Sequence, residues 1–186
     1  MGVHVATKSG SLAEWASQMP FPDESAGPWH VLHTRSRQEK ALADDLRAMK
    51  IAHFLPLVRQ VRYYGKRKFR INEPLFPGYV FLRGQLDDAY LADRTRRVAG
   101  IIQVTDQRRL EWELRNIYLA LCADAPLDPY PCLKKGVRVE VRSGPFRGLQ
   151  GIIEDRLKNE RLILQVDLLG KAVSLEIQGA LLESIE

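Results

Sequence analysis

Four histidines, His4, His30, His33 and His53, and two cysteines, Cys122 and Cys132, are the side chains best suited to bind a soft metal or carry a proton near neutral pH. One close pair occurs, in "HVLH" at residues 30–33. Three residues apart on a strand, those imidazoles point to opposite faces and cannot share a metal. The cysteines form no CxxC and have no histidine near them in sequence, so no zinc site is indicated and two free thiols are expected. Gly170 and Lys171, in "LLGKAVS", lack the glycine spacing and following helix of a phosphate-binding loop and read as a hairpin turn. No GxSxG motif or other nucleophile–base set is present. An enzyme is therefore not expected, nor a metal or cofactor, and the chemistry left is that of binding.

Two stretches are built for binding. Between Val58 and Ile71 lie Arg59, Arg62, Lys66, Arg67, Lys68 and Arg70, with no acid among them and with Tyr63, Tyr64 and Phe69 interleaved. Cations neutralise phosphates and aromatic faces stack on bases, so this combination suits nucleic acid. The alternative is a solvated hairpin whose aromatics pack inward. "RTRRVAG" adds a shorter cluster, Arg94, Arg96 and Arg97. The second stretch, "EPLFPGYVFL" (73–82), follows the basic run directly. Pro74 and Pro77 fix φ and remove amide donors, and Gly78 permits a tight backbone. Leu75 and Phe76 are thus presented from a stiff segment, with Tyr79 close behind. Such side chains lose little entropy on binding a partner; equally, they could fill a core.

These segments need a scaffold, and 186 residues allow one ordinary domain or two small ones. The net charge of +5 is unevenly spread. Residues 29–120 hold 18 Lys and Arg against 10 Asp and Glu, whereas residues 121–186 hold 9 against 10. The middle of the chain therefore carries the field that would attract a polyanion. No apolar run is long enough to span a bilayer, and the start "MGVHVATKSGSLAEW" has no basic-then-apolar leader, so a cytoplasmic protein is expected.

Residues 1–28 read as a flexible tail, with a possible short helix capped by Ser11 and Glu14. From 29 to 122 strands and helices alternate. "WHVLHT" is a strand with Trp29, Val31 and His33 on one face; "SRQEKALADDLRAMKI" is a helix with a Ser36–Glu39 capping box. "AHFLPLVRQVRYY" and "KFRINEP" are two arms joined at Gly65, and "YVFLRG" and "GIIQV" are further strands. "DQRRLEWELRNIYLALC" is a second helix with Leu110, Leu114, Ile117 and Leu121 on one stripe. Residues 123–135 hold Pro126, Pro129 and Pro131, which deny both helix and ladder, and read as a linker. Residues 136–186 contain only short strands and turns, the pattern of a small β-barrel. The fold class is α+β: an α/β sandwich on a mainly antiparallel sheet, then a small all-β unit.

In this order, "WHVLHT", a helix, "LFPGYVFL" and "RRVAGII" resemble the N-terminal (NGN) domain of the NusG family of transcription elongation factors. The turn "SGPFRGLQG", with Gly144, Pro145, Phe146, Gly148 and Gly151, is similar to the core of that family's KOW domain, an SH3-like β-roll. The resemblance runs from Trp29 to Glu186. It implies a monomer whose NGN domain grips the clamp helices of the largest RNA polymerase subunit and suppresses pausing. By motif, the gripping patch would use Trp29, Leu75, Phe76, Pro77 and Tyr79, with Leu114 and Ile117 added from the second helix. Arg94, Arg96 and Arg97 would face upstream or non-template DNA. The near-neutral KOW domain would bind a protein, a small-subunit ribosomal protein or the termination factor Rho, through Phe146, Ile152 and Ile163. "EPLFP" and the linker's "PYP" resemble the specialised RfaH-like branch, which implies an operon-specific processive antiterminator; the general elongation factor and an RNA-binding or ribosome-associated KOW protein are the alternatives. Some RfaH-like members refold this last domain into a helical hairpin. Here the valine and isoleucine alternation of "VRVEVR" and "RLILQV" makes the β form the expected resting state.

Overall fold

The computed structural model describes residues 21–64, 67–133, 136–154, 161–177 and 182–185. At its centre β1 (Trp29–Thr34), β2 (Ala52–Phe54), β5 (Tyr79–Arg83) and β6 (Val98–Gln103) form a four-stranded sheet in the order β2-β5-β1-β6. Every pairing in it is antiparallel, with Val31 opposite Phe81 and Ile102. Alternation gives the sheet two apolar faces. Leu32, Val80 and Leu82 pack under α1 (Glu39–Ala48) and α2 (Leu86–Asp93). Trp29, Val31 and Phe81 pack under α3 (Gln107–Cys122), which buries Leu110, Leu114, Ile117 and Leu121 as its spacing requires. The helix α2 has no apolar periodicity by which sequence could reveal it. It buries only Ala89 and Ala92, and its signal is the reciprocal cap between Gln85 and Asp88.

Beyond the sheet, β3 (Leu57–Tyr64) and β4 (Arg67–Pro74) form the expected two-stranded arm, hydrogen-bonded to no other described strand. The Ser36–Glu39 capping box does not form. Gln38 occupies the cap of α1 without a side-chain bond, and Glu39 is used elsewhere. The possible helix at Ser11–Glu14 lies outside the described residues.

Two boundaries move. Residues 21–28, expected to belong to the flexible tail, pack against the sheet instead. The Phe21 ring lies 5.6 Å from Trp29, 5.5 Å from Phe54 and 5.4 Å from Tyr118, with the Arg115 guanidinium 5.1 Å from its centre. Buried Arg83 fixes this strap by donating to the carbonyls of Pro22 and Gly27. In the linker, β7 (Asp128–Tyr130) does join a ladder, as the outermost strand. Proline is tolerated there because one side of an edge strand needs no donor.

The C-terminal unit is all-β. It consists of β7 with β8 (Val137–Val141), β9 (Gln150–Ile153), β10 (Arg161–Val166), β11 (Lys171–Glu176) and β12 (Leu182–Ser184), in the order β12-β8-β9-β10-β11-β7. All its pairings are antiparallel. Val139, Val141, Ile153, Leu162, Leu164 and Leu175 form its core, which is continuous with the core under α3.

Candidate functional site

The apolar edge is held by hydrogen bonds from three elements. Leu75 donates its amide to the Pro56 carbonyl at 2.8 Å, Tyr79 to Phe76 at 3.2 Å, and Thr34 to Gly78 at 2.8 Å. The Gly78 amide donates to the Glu39 carboxylate at 2.7 Å, tying the turn to the start of α1. Gly78 has φ +89°, a left-handed backbone that favours glycine, while an added Cβ would meet the His33 ring only at ordinary van der Waals distance. Conformation, not crowding, sets the residue.

On this braced turn Pro77 is exposed and Leu75 and Tyr79 are half-buried. The Tyr79 ring lies 5.3 Å from that of exposed His33, its register partner on β1. Sequence reasoning misses His33 as a surface residue of this edge, although alternation puts it on the face of Trp29 and Val31. Four of the expected patch residues are corrected. Phe76 is 2% exposed, edge-on to Phe81 at 6.3 Å. Trp29 is sealed beneath Phe21 and Arg83, its indole donating to Glu111 at 2.6 Å. Leu114 and Ile117, on α3, are wholly buried against the sheet. These four are core, and the accessible remainder is Leu75, Pro77, Tyr79 and His33.

On the arm, cross-strand register sets an aromatic opposite a cation three times in succession: Arg62 pairs with Phe69, Tyr63 with Lys68 and Tyr64 with Arg67. The next pair is Val61 with Arg70. Arg67, Lys68, Phe69 and Arg70 are exposed, Arg59 is half-buried, and Lys66 lies outside the described residues. In the second cluster, Arg94 and Arg96 are exposed. Arg97 is a brace: it donates to Asp45 at 2.6 Å and to Gln38 at 2.5 Å, joining β6 to α1.

The face of α3 beside its sheet-facing stripe meets the C-terminal unit. Trp112 donates its indole N–H to Gln150 at 2.7 Å, the Gln150 amide donates to Asn116 at 2.8 Å, and Arg138 lies 4.8 Å over the Trp112 ring. Of the three residues expected to bind a partner here, Ile163 is 1% exposed and belongs to the core, a correction. Ile152 and Phe146 are half-buried. Among the described residues no group of three or more His, Cys, Asp or Glu could hold a metal ion, and no helix is long and apolar enough to cross a membrane.

Residues 27–113, from the end of the strap into α3, match the family NusG, described as "Transcription termination factor nusG". Over these residues the chain is similar to the NusG family. NusG-type relatives match beyond the domain. The Rickettsia prowazekii "Transcription termination/antitermination protein NusG" is 25% identical over 175 residues, covering 86% of this chain and 91% of its own length. The Escherichia coli K12 protein of the same description is 26% identical over 172 residues, covering 83% and 94%. Among solved structures, one of Thermotoga maritima NusG is similar at 24% identity and a TM-score of 0.40, covering 86% of this chain and 97% of that one. The NusG-family match begins after Phe21 and Pro22, so the first part of the strap lies outside the shared domain while packing on it.

Proposed function

We propose that this chain is a transcription elongation factor that docks on RNA polymerase through the edge formed by Leu75, Pro77, Tyr79 and His33 and suppresses pausing and termination. The observation that carries the reading is the half-buried, hydrogen-bonded turn at 75–79, which offers apolar surface from a rigid frame in a NusG-family domain. The occupant is the pair of clamp helices of the largest subunit, a rod that a shallow edge can receive. In the same reading Arg67, Lys68 and Arg70 on the arm, with Arg94 and Arg96, touch upstream or non-template DNA. The C-terminal unit acts as a KOW domain that engages a ribosomal protein or Rho through Phe146 and Ile152, and the factor works as a cytoplasmic monomer.

The test is a pull-down with purified polymerase. L75A/Y79A should lose at least about tenfold in affinity at unchanged thermal stability, with little dependence on salt. Retained binding by that variant refutes the docking edge. Steep salt dependence that tracks the arm's arginines instead would favour an RNA-binding protein. A finer reading, action confined to particular operons, rests on "EPLFP" and the linker's "PYP". It requires that antitermination on a template appear only with a particular leader sequence; equal activity on all templates assigns the general role.

A further inference from the structure

Glu113 is a carboxylate buried where two domains meet. It stands on α3 with Arg109, Trp112 and Asn116, on the stripe beside the one that packs on the sheet, and it is 4% exposed. What covers it comes from the C-terminal unit. The Asp167 amide, in the turn that follows β10, lies 3.3 Å from each of its oxygens, and Gln150 and Arg138 close the seam alongside through Asn116 and Trp112.

The charges around it come from every packed element. On α3, Arg109 donates to it at 3.2 Å and Asp106 stands two turns back. From β8 comes Arg138, from the turn after β10 Asp167, and from the linker the Cys132 thiol. Arg109 is shared, since it also pairs with Asp167. A divided Arg109 and the smaller pull of Arg138 are weak compensation for a carboxylate taken out of water. A cleft of about 280 Å³ lined by Asp106, Arg109, Glu113 and Asp167 gives protons a route to it.

We infer that the seam between α3 and the C-terminal unit is a proton-operated latch, in which neutral Glu113 keeps the unit docked and ionised Glu113 loosens it. The inference stands whether or not polymerase is the partner of the 75–79 edge. Burial pushes the Glu113 carboxyl up to about 7, against an ordinary value of 4.5, and Arg109 opposes that only in part. When the C-terminal unit lifts away, water reaches the carboxyl and it returns to the ordinary range. The docked form therefore binds more protons than the undocked form between those two values. Docking is strongest below the lower value, weakens as pH rises, and stops weakening above the upper one. For one proton, the docking constant falls ~10-fold between pH 6 and pH 8, most of it below pH 7. Lifting uncovers Trp112 and Asn116 on one side and Gln150 and Ile152 on the other, so the latch sets how often these faces meet other partners.

Two amides report on it directly, because Gln150 and Asp167 both donate across the seam. In the full chain, their hydrogen-exchange protection, corrected for the intrinsic pH dependence, should fall ~10-fold from pH 6 to pH 8. Val31 and Phe81 in the central sheet serve as controls and should not follow. E113Q, which keeps the acceptor and removes the titration, should hold seam protection constant. A flat profile in the native chain, an equal fall in E113Q, or seam amides that exchange only together with Val31 and Phe81 would each overturn the latch. Should E113Q not fold, the ¹³C shift of the Glu113 carboxyl in the native chain decides it: a midpoint near 7 supports the latch, and one in the ordinary carboxylate range refutes it.

Discussion

Glu39 and Gly78 are joined by a 2.7 Å hydrogen bond from the Gly78 amide to the Glu39 carboxylate, across 39 residues of chain. Glu39 is buried, and it spends its acceptor on the turn that carries Leu75 and Tyr79 instead of on its own helix. Removing it leaves an amide in the turn without its partner. Glu39→Ala is expected to cost about 1–3 kcal/mol in urea unfolding, and Glu39→Gln, which still accepts, about half as much. If the turn is the docking edge, Glu39→Ala also weakens polymerase binding more than its stability loss accounts for.

A second long-range pair, Arg83 with Glu111, lies under the strap with side chains 8% and 15% exposed. Arg83 also donates to Gly27 and Pro22 and covers the Trp29 ring, while Glu111 takes the Trp29 indole N–H and Arg115. Breaking such a pair from one side strands a buried charge. Arg83→Met should therefore cost about 3–5 kcal/mol. Arg83→Met/Glu111→Gln should cost less than the two single changes added together, a coupling that urea unfolding of the three variants measures directly.

Elements set by local periodicity are legible in the sequence. The alternation of "WHVLHT" and the spacing of Leu110, Leu114, Ile117 and Leu121 each encode a buried face without reference to the rest of the chain. What is not legible depends on distant partners. The capping box expected at Ser36 and Glu39 loses its glutamate to Gly78, and Pro129 of the linker joins a ladder because β11 offers an open edge. The surface is hardest. Trp29 and Phe76 belong to apolar segments that look alike in sequence, and only the placing of Phe21 above one and Phe81 beside the other makes them core while Leu75 and Tyr79 reach solvent. Leu114 and Ile117 show the converse. Their spacing reveals the stripe, but only the sheet beneath α3 shows that it points inward.

Phe21 packs from outside the shared domain onto three aromatic rings and an arginine. Aromatic pairs contribute about 0.5–1.5 kcal/mol each beyond area burial. For a half-buried ring, Phe21→Ala is expected to cost about 2 kcal/mol in total. Because the ring lies on Trp29, the substitution should also change the Trp29 fluorescence, which separates loss of the strap from a general loosening. Unaltered stability and emission would mean that the strap adds nothing to the fold.

Last comes the arm. Arg67 and Arg70 are exposed, and the sequence between Val58 and Ile71 holds no acid, so they can be changed without disturbing the core. Every phosphate that ceases to be neutralised lowers the slope of log affinity against log salt by about 0.7 for a single strand and 0.9 for a duplex. Arg67→Gln/Arg70→Gln should accordingly reduce the slope for an oligonucleotide by roughly 1.4 for a single strand and 1.8 for a duplex, and weaken binding evenly across base sequences. Phe69→Ala should behave differently, lowering affinity for single strands by about 1–3 kcal/mol while leaving the salt slope in place, because stacking releases no counterions. If both variants shift slope and affinity together, the aromatic is packing against its own arm and not on a base.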